Sequence, residues 1–219
     1  KDMLVDADVH ANVNLAEIKT VYPLDGLVLN GLLKVDATAK GKYDAASNKF
    51  PLTVADFNLQ NGSLKTSYYP NPINAINVKA KAINSTGSLK DQELTIQPAS
   101  FNFEEKPFEV TASLKNFEDI LYDVKAKGEL DIARIYKVFS QKGIDVTGFV
   151  KADLHLQGKQ SDAVNKQYSR LNNEGTLELK DIATSTEYLP KPFVIKEGEF
   201  KFKQDKMWFN NFKAVYGET

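Results

Sequence analysis

Strict alternation dominates this chain. The stretch from Gly143 to Gly158, GIDVTGFVKADLHLQG, sets Ile144, Val146, Gly148, Val150, Ala152, Leu154 and Leu156 in one register. Asp145, Thr147, Phe149, Lys151, Asp153, His155 and Gln157 fill the other. Successive strand side chains point to opposite faces, so a period of two builds a sheet with one apolar face and one polar face. The same period recurs at Phe57 and Leu59, from Ile76 to Ala82, at Leu94 and Ile96, at Phe101 and Phe103, and from Phe108 to Leu114. It returns at Leu177 and Leu179, at Phe200 and Phe202, at Met207 and Phe209, and from Phe212 to Tyr216. The turn sequences NGS, NSTG, KDQE and KEGE punctuate these runs. Buried parallel strands would read apolar throughout, so the pattern predicts a mainly β protein: a long curved antiparallel sheet of about a dozen strands.

The chain also repeats itself. Leu15 to Gly41 lies over Ile132 to Gly158 without a gap at an offset of 117 residues, bringing Gly26, Gly31 and Gly41 onto Gly143, Gly148 and Gly158. Leu27, Leu29, Leu33 and Val35 thereby fall on Ile144, Val146, Val150 and Ala152. Backwards, Ala7, Val9, Ala11 and Val13 fall on Val124, Ala126, Gly128 and Leu130. Past the matched glycines the offset drifts: NGSLK at Asn61 resembles EGTLE at Glu174, and YPNPI at Tyr69 resembles LPKPF at Leu189. We read one continuous segment, 1–219, made of two repeats of about 1–121 and 122–219. Each repeat is expected to carry one short amphipathic helix, because Leu15, Ile18 and Val21 recur at spacing three, as do Ile132, Ile135 and Val138. The polar tract from Gln157 to Gly175 reads as a mobile loop or surface excursion.

Composition excludes several classes. With 28 basic and 29 acidic residues the net charge is −1, which gives no electrostatic basis for nucleic acid binding. There is no cysteine, hence no disulfide scaffold and no thiolate zinc site. No apolar run reaches the length of a membrane span, and KDMLVDADVH lacks the core of a signal peptide. Because the chain opens in mid-alternation and stops at AVYGET, it is expected to be an excised segment of a longer protein.

Side chains suited to catalysis are sparse. Asp6, Asp8 and His10 share one strand face, an arrangement that holds a divalent metal in some proteins and is more often a solvated face. His155 beside Asp153 reads the same way. Glu104 with Glu105, or Glu197 with Glu199, contain the carboxylates of a glycosidase but are scattered. Glycines lie singly, so no phosphate loop or nucleophile elbow is present. Tyr68, Tyr69, Tyr122, Tyr188, Trp208 and Tyr216 would serve carbohydrate binding, although strand-face packing is the commoner use of such rings. No catalytic residue, metal site or cofactor is expected.

An apolar face this wide must be closed, covered or occupied. Two short helices cannot cover a sheet about 50 Å across. Either it rolls into an incomplete barrel, or it forms an open groove for something else. The order of features from Ile132 onward, with KADLHLQG, RLNNEGTLELKDI and LPKPFVIKEGEFKFKQDKMWFNNFKAVYG, resembles the C-terminal region of AsmA-like proteins of the Bacteroidetes type. The likeness is densest over 132–217 and extends through the repeat to Leu15 and Phe103.

That resemblance implies a periplasmic protein of outer-membrane biogenesis, related to TamB, anchored in the inner membrane by an N-terminal helix not present in this segment. It implies repeated β units forming an apolar groove that moves phospholipid between membranes, and it carries over no catalytic residue. The expected function is therefore non-enzymatic, with phospholipid or another acyl-chain lipid as partner. Leu27, Leu29, Leu33 and Val35, with Ile144, Val146, Val150, Leu154 and Leu156, are the expected groove lining. The alternative is a structural scaffold whose apolar face is fully packed and which contacts outer-membrane assembly proteins.

Overall fold

A computed structural model describes residues 3–20, 26–131, 134, 145–186 and 189–217. Eleven strands form one antiparallel sheet in strict sequence order. They are β1 (Met3–Asn14), β2 (Leu27–Tyr43), β3 (Leu52–Thr66), β4 (Ile73–Asn84), β5 (Gln92–Phe103) and β6 (Lys106–Lys115), then β7 (Leu121–Asp131), β8 (Asp145–Lys159), β9 (Glu174–Thr186), β10 (Leu189–Lys203) and β11 (Lys206–Tyr216). Among the described residues each strand pairs only with its neighbours in sequence, so β1 and β11 are the outermost strands and the sheet is not closed into a barrel. The architecture is the open sheet that the alternation predicts.

The offset of 117 carries Asn14 to Asp131, the ends of β1 and β7, and sets β2 on β8 to within a residue. The connectors after β1 and after β7 therefore leave the sheet at the same end. YPNPI and LPKPF both lead into the strands that start from that end, β4 and β10. NGSLK and EGTLE are not equivalent: the first closes β3 at the connector end, whereas the second opens β9 at the opposite end.

Bulges bend this sheet. Register slips occur between Leu59 and Leu64 of β3, at Ala75 of β4, between Ile96 and Ala99 of β5, at Asp181 of β9, between Ile195 and Glu199 of β10, and at Asn211 of β11. Asn61, Ala75, Asp181 and Asn211 adopt φ near +50°, the conformation that inserts an extra residue. In β5 the slip contains Pro98, which cannot donate to a ladder and is tolerated inside a strand where pairing lapses. Leu94 and Ile96 thus belong to the same strand as Phe101 and Phe103, with their phase shifted by one.

Leu15–Thr20 forms a 3₁₀ helix packed against β2. Three residues per turn is the spacing of Leu15 and Ile18, so the stripe encodes this tighter helix. Val21, Ile132, Ile135 and Val138, which define the rest of the expected helices, lie outside the described residues.

The tract read as a mobile loop or a surface excursion is an ordered excursion. After β8 come helix α1 (Gln160–Val164) and a 3₁₀ turn at Tyr168–Arg170. Asp119 Oδ1 accepts from the Ser161 backbone N–H at 2.9 Å and the Lys159 ammonium pairs with Asp119 Oδ2 at 2.8 Å. The tract seats Leu171, only 3 % exposed, beside Gly158, which Tyr122 also approaches. Val164 and Tyr168 of the same tract are exposed, so apolar character alone does not single out Leu171.

Candidate functional site

Cross-strand register shows how the apolar face is assembled. Directly opposed residues share a face, and one row can be followed through every strand. It runs Val13, Leu33, Leu59, Val78, Ala99, Val110, Ala126, Leu154, Gly175, Phe202 and Met207. No charged side chain interrupts it. Eleven strands at about 4.8 Å make this wall roughly 50 Å wide. Among the described residues no second sheet lies over it. The buried apolar residues among those described are Ala55, Ile73, Phe103, Ala112, Ala152, Leu171 and Ile182, and three of these seven are alanines. Such a set leaves most of the described wall without a covering core.

Leu27, Leu29, Leu33 and Val35 all stand on this face, half-buried, opposite Thr66, Leu64, Leu59 and Phe57. Val150 sits between Leu130 and Leu179, Leu154 between Ala126 and Gly175, and Leu156 beside Val124, all half-buried. Val146 lies opposite Thr184 in the ladder, and Ile144 is outside the described residues. The structure does not gather these residues into one pocket. The two groups occupy β2 and β8, six strand spacings or about 29 Å apart, as separate stations on one wall.

The β10–β11 end of the same wall was not singled out from sequence. There Phe200 lies 5.8 Å from Phe202 and 5.1 Å from Phe209, which lies 5.4 Å from Phe212 (ring centroids). Met207 and Phe209 are 61 % and 60 % exposed, so this cluster is the most solvent-facing part of the wall described. The signal was present in the sequence, but the bulge at Asn211 shifts the alternation by one residue between Phe209 and Phe212.

One end of the wall is sealed. At the connector end Ile73 and Phe103 are 5 % and 2 % exposed beneath Leu64, Tyr69, Ile76 and Phe101. A polar cluster fastens this end. The Tyr69 hydroxyl donates to Glu104 Oε1 at 2.5 Å, Asn71 Nδ2 donates to the same oxygen at 2.9 Å, and the Arg134 guanidinium binds Oε2. Arg134 also bonds Asp131, through its backbone N–H at 3.0 Å and its Nε at 3.2 Å. The Tyr69 hydroxyl, the Asn71 amide and the Arg134 guanidinium hold the Glu104 carboxyl below its ordinary range, against the opposing effect of burial.

The opposite face is a lattice of cross-strand ion pairs. Lys127 meets Asp153 at 2.8 Å, Lys151 meets Glu178 at 2.8 Å, Lys81 meets Asp56 at 3.5 Å and Lys203 meets Glu174 at 3.3 Å. A recess of about 940 Å³ on this face is lined by residues that include Glu109, Lys127, Glu129, Lys151, Asp153 and Glu178, so carboxylates outnumber ammonium groups around it. His10 belongs to this lattice. Its Nδ1 lies 2.8 Å from Asp36 Oδ1 and its Nε2 lies 3.1 Å from Asp8 Oδ1, while Asp6 pairs with Lys40. At the offset of 117, His10 and Asp36 correspond to Lys127 and Asp153, which make the same cross-strand contact. His10 thus occupies a cation's place in an ion-pair ladder. Among the described residues no three His, Asp or Glu side chains converge as a metal site. Of the carboxylates considered for glycoside chemistry, Glu197 is held by Lys213 and Glu199 by Lys201 and Asn210. Those contacts hold both carboxyls below their ordinary range.

Comparison with protein-family models, curated proteins and solved structures finds no match to this chain. Among the described residues no helix is long and apolar enough to cross a membrane.

Proposed function

We propose that this protein is a non-enzymatic lipid-binding segment whose apolar face shields the acyl chains of phospholipid while head groups remain in water. The observation that carries this reading is the uninterrupted apolar row from Val13 to Met207 on a single-layer sheet. Water against such a wall is unfavourable, and each methylene moved from water onto it contributes up to about 0.8 kcal/mol. A face of mainly aliphatic and aromatic side chains recognises chain length and fluidity rather than head-group identity, so selectivity is low. The resemblance to AsmA-like proteins supports placing the segment in the periplasm, as part of a longer chain anchored to the inner membrane, where it would conduct phospholipid between inner and outer membranes.

Native mass spectrometry of the purified protein, with organic extraction of what it carries, tests the reading. Phospholipid in about stoichiometric amount is expected, and its persistent absence from protein prepared from membrane-containing lysate and then incubated with phospholipid vesicles would defeat it. The sealed cluster around Ile73 and Phe103 favours a second reading at that end, a packed scaffold for assembly of outer-membrane proteins. Under that reading the same experiment yields protein without lipid.

A further inference from the structure

The geometry points to a carbohydrate-binding site on the polar face beside the β11 edge, with the Trp208 indole as stacking platform for a neutral pyranose. The inference does not depend on the lipid reading, because it uses the opposite face. Trp208 is the only tryptophan of the chain and stands 45 % exposed. Everywhere else its row across this face is polar: Trp208 is opposite Lys201, then come Thr176, Asp153, Lys127 and Glu109. An indole among charged neighbours on a solvated face contributes nothing to a core.

Trp208 lies at the rim of an open depression of about 640 Å³ whose walls include Asn210, Lys201, Glu174, Thr176, Asp153 and His155. From Trp208 to Asp153 is three strand spacings, about 14 Å, room for more than one sugar ring laid across the strands. The groups fit that ligand. The C–H face of a pyranose packs on an aromatic plane, and its equatorial hydroxyls project to the rim, where a carboxylate accepts from vicinal hydroxyls and an amide both donates and accepts. Net charge narrows the class. Glu174 is matched by Lys203 at 3.3 Å and Asp153 by Lys127 at 2.8 Å, so the site has no surplus of either sign to attract a polyanionic or cationic ligand. The openness suits an extended glycan better than a free monosaccharide.

Because the chain has a single tryptophan, its intrinsic emission reports on this site alone. The protein is titrated separately with maltotetraose, cellotetraose and tetra-N-acetylchitotetraose. At least one should shift or quench emission saturably in the millimolar range. By calorimetry, Trp208→Ala should weaken that binding about tenfold or more, and Trp208→Phe should retain most of it. Glu174→Gln, which keeps the reporter and needs no change at the edge, should weaken binding several-fold; it decides the matter if the Trp208 variants do not fold. No emission change with any of the three sugars overturns the proposal, as does unaltered affinity in Trp208→Ala. A response only to an extended peptide also overturns it, since Trp208 would then mark a strand-pairing edge.

Discussion

Gly31 and Gly148 stand 117 residues apart at matching stations of the sheet, each facing the bulge of the following strand. Both hold a positive φ, +125° and +109°. A Cβ on Gly31 would lie 2.8 Å from the Gly62 Cα, and one on Gly148 would lie 2.5 Å from the Asp181 carbonyl oxygen. The obstacle is backbone in both cases, so it cannot swing aside. Gly148→Ala is therefore expected to destabilise the protein by about 1–3 kcal/mol, and Gly31→Ala similarly. Chemical denaturation checks this; a midpoint unchanged in both variants would show that the bulges relax freely.

Leu33→Asp and Val150→Asp place a carboxylate on the half-buried wall. Both variants should fold and lose photo-crosslinking to acyl-chain probes. Phe103→Asp, at a site 2 % exposed, should fail to fold, because burying an unpaired carboxylate exceeds the roughly 4 kcal/mol that marks the severest single substitutions. Circular dichroism beside the crosslinking assay separates the outcomes. Unfolding by all three would reveal a packed face throughout.

The hydrogen bond to Asp36, followed by the charge of Asp8, raises the His10 pKa above its ordinary value, with the Lys34 ammonium opposing. A raised folded-state pKa means that the protonated ring favours the folded edge. The stabilisation is fully present below about pH 6.5 and is lost as pH rises through the folded-state value. Relative to intrinsic exchange, the amides of β1 should exchange faster across that window, while those of β6, flanked by strands without histidine, should show no such step. His10→Lys should flatten the β1 profile. Equal profiles for the two strands in the wild type would refute the assignment.

Glu104 behaves in the opposite sense. Its carboxyl is lowered by Tyr69, Asn71 and Arg134, so its contribution is present above its ordinary pKa and lost as pH falls through the folded value. Tyr69→Phe should cost about 1 kcal/mol at neutral pH through the lost hydrogen bond. Glu104→Gln should unfold with a shallower acid limb than the wild type. If the acid limb is unaltered, the cluster is not what holds that end.

The strands were legible in the sequence because period two is a local property of consecutive residues. The bulges were written there too, as one-residue phase slips from Leu59 to Gly62, from Ile96 to Ala99, from Leu179 to Ile182 and from Phe209 to Phe212, but read singly they resemble strand ends. The stripe of Leu15 and Ile18 carried the spacing of a 3₁₀ helix. Leu171 left no trace, since its role depends on Tyr122 and Gly158, residues brought near it by the sheet. For the same reason alternation identified which residues share the apolar face, while the sealing at Ile73 and Phe103 and the openness at Met207 and Phe209 depend on contacts between distant segments.

Strand order that follows chain order has a further consequence, for how this protein is made. Every ladder closes between neighbours in sequence, so each newly emerged strand finds its template already in place and no partner still to be synthesised is awaited. The sheet can zip forward hairpin by hairpin from the amino-terminal side, and a chain halted partway would keep the ladders already formed and differ from the finished one chiefly in breadth.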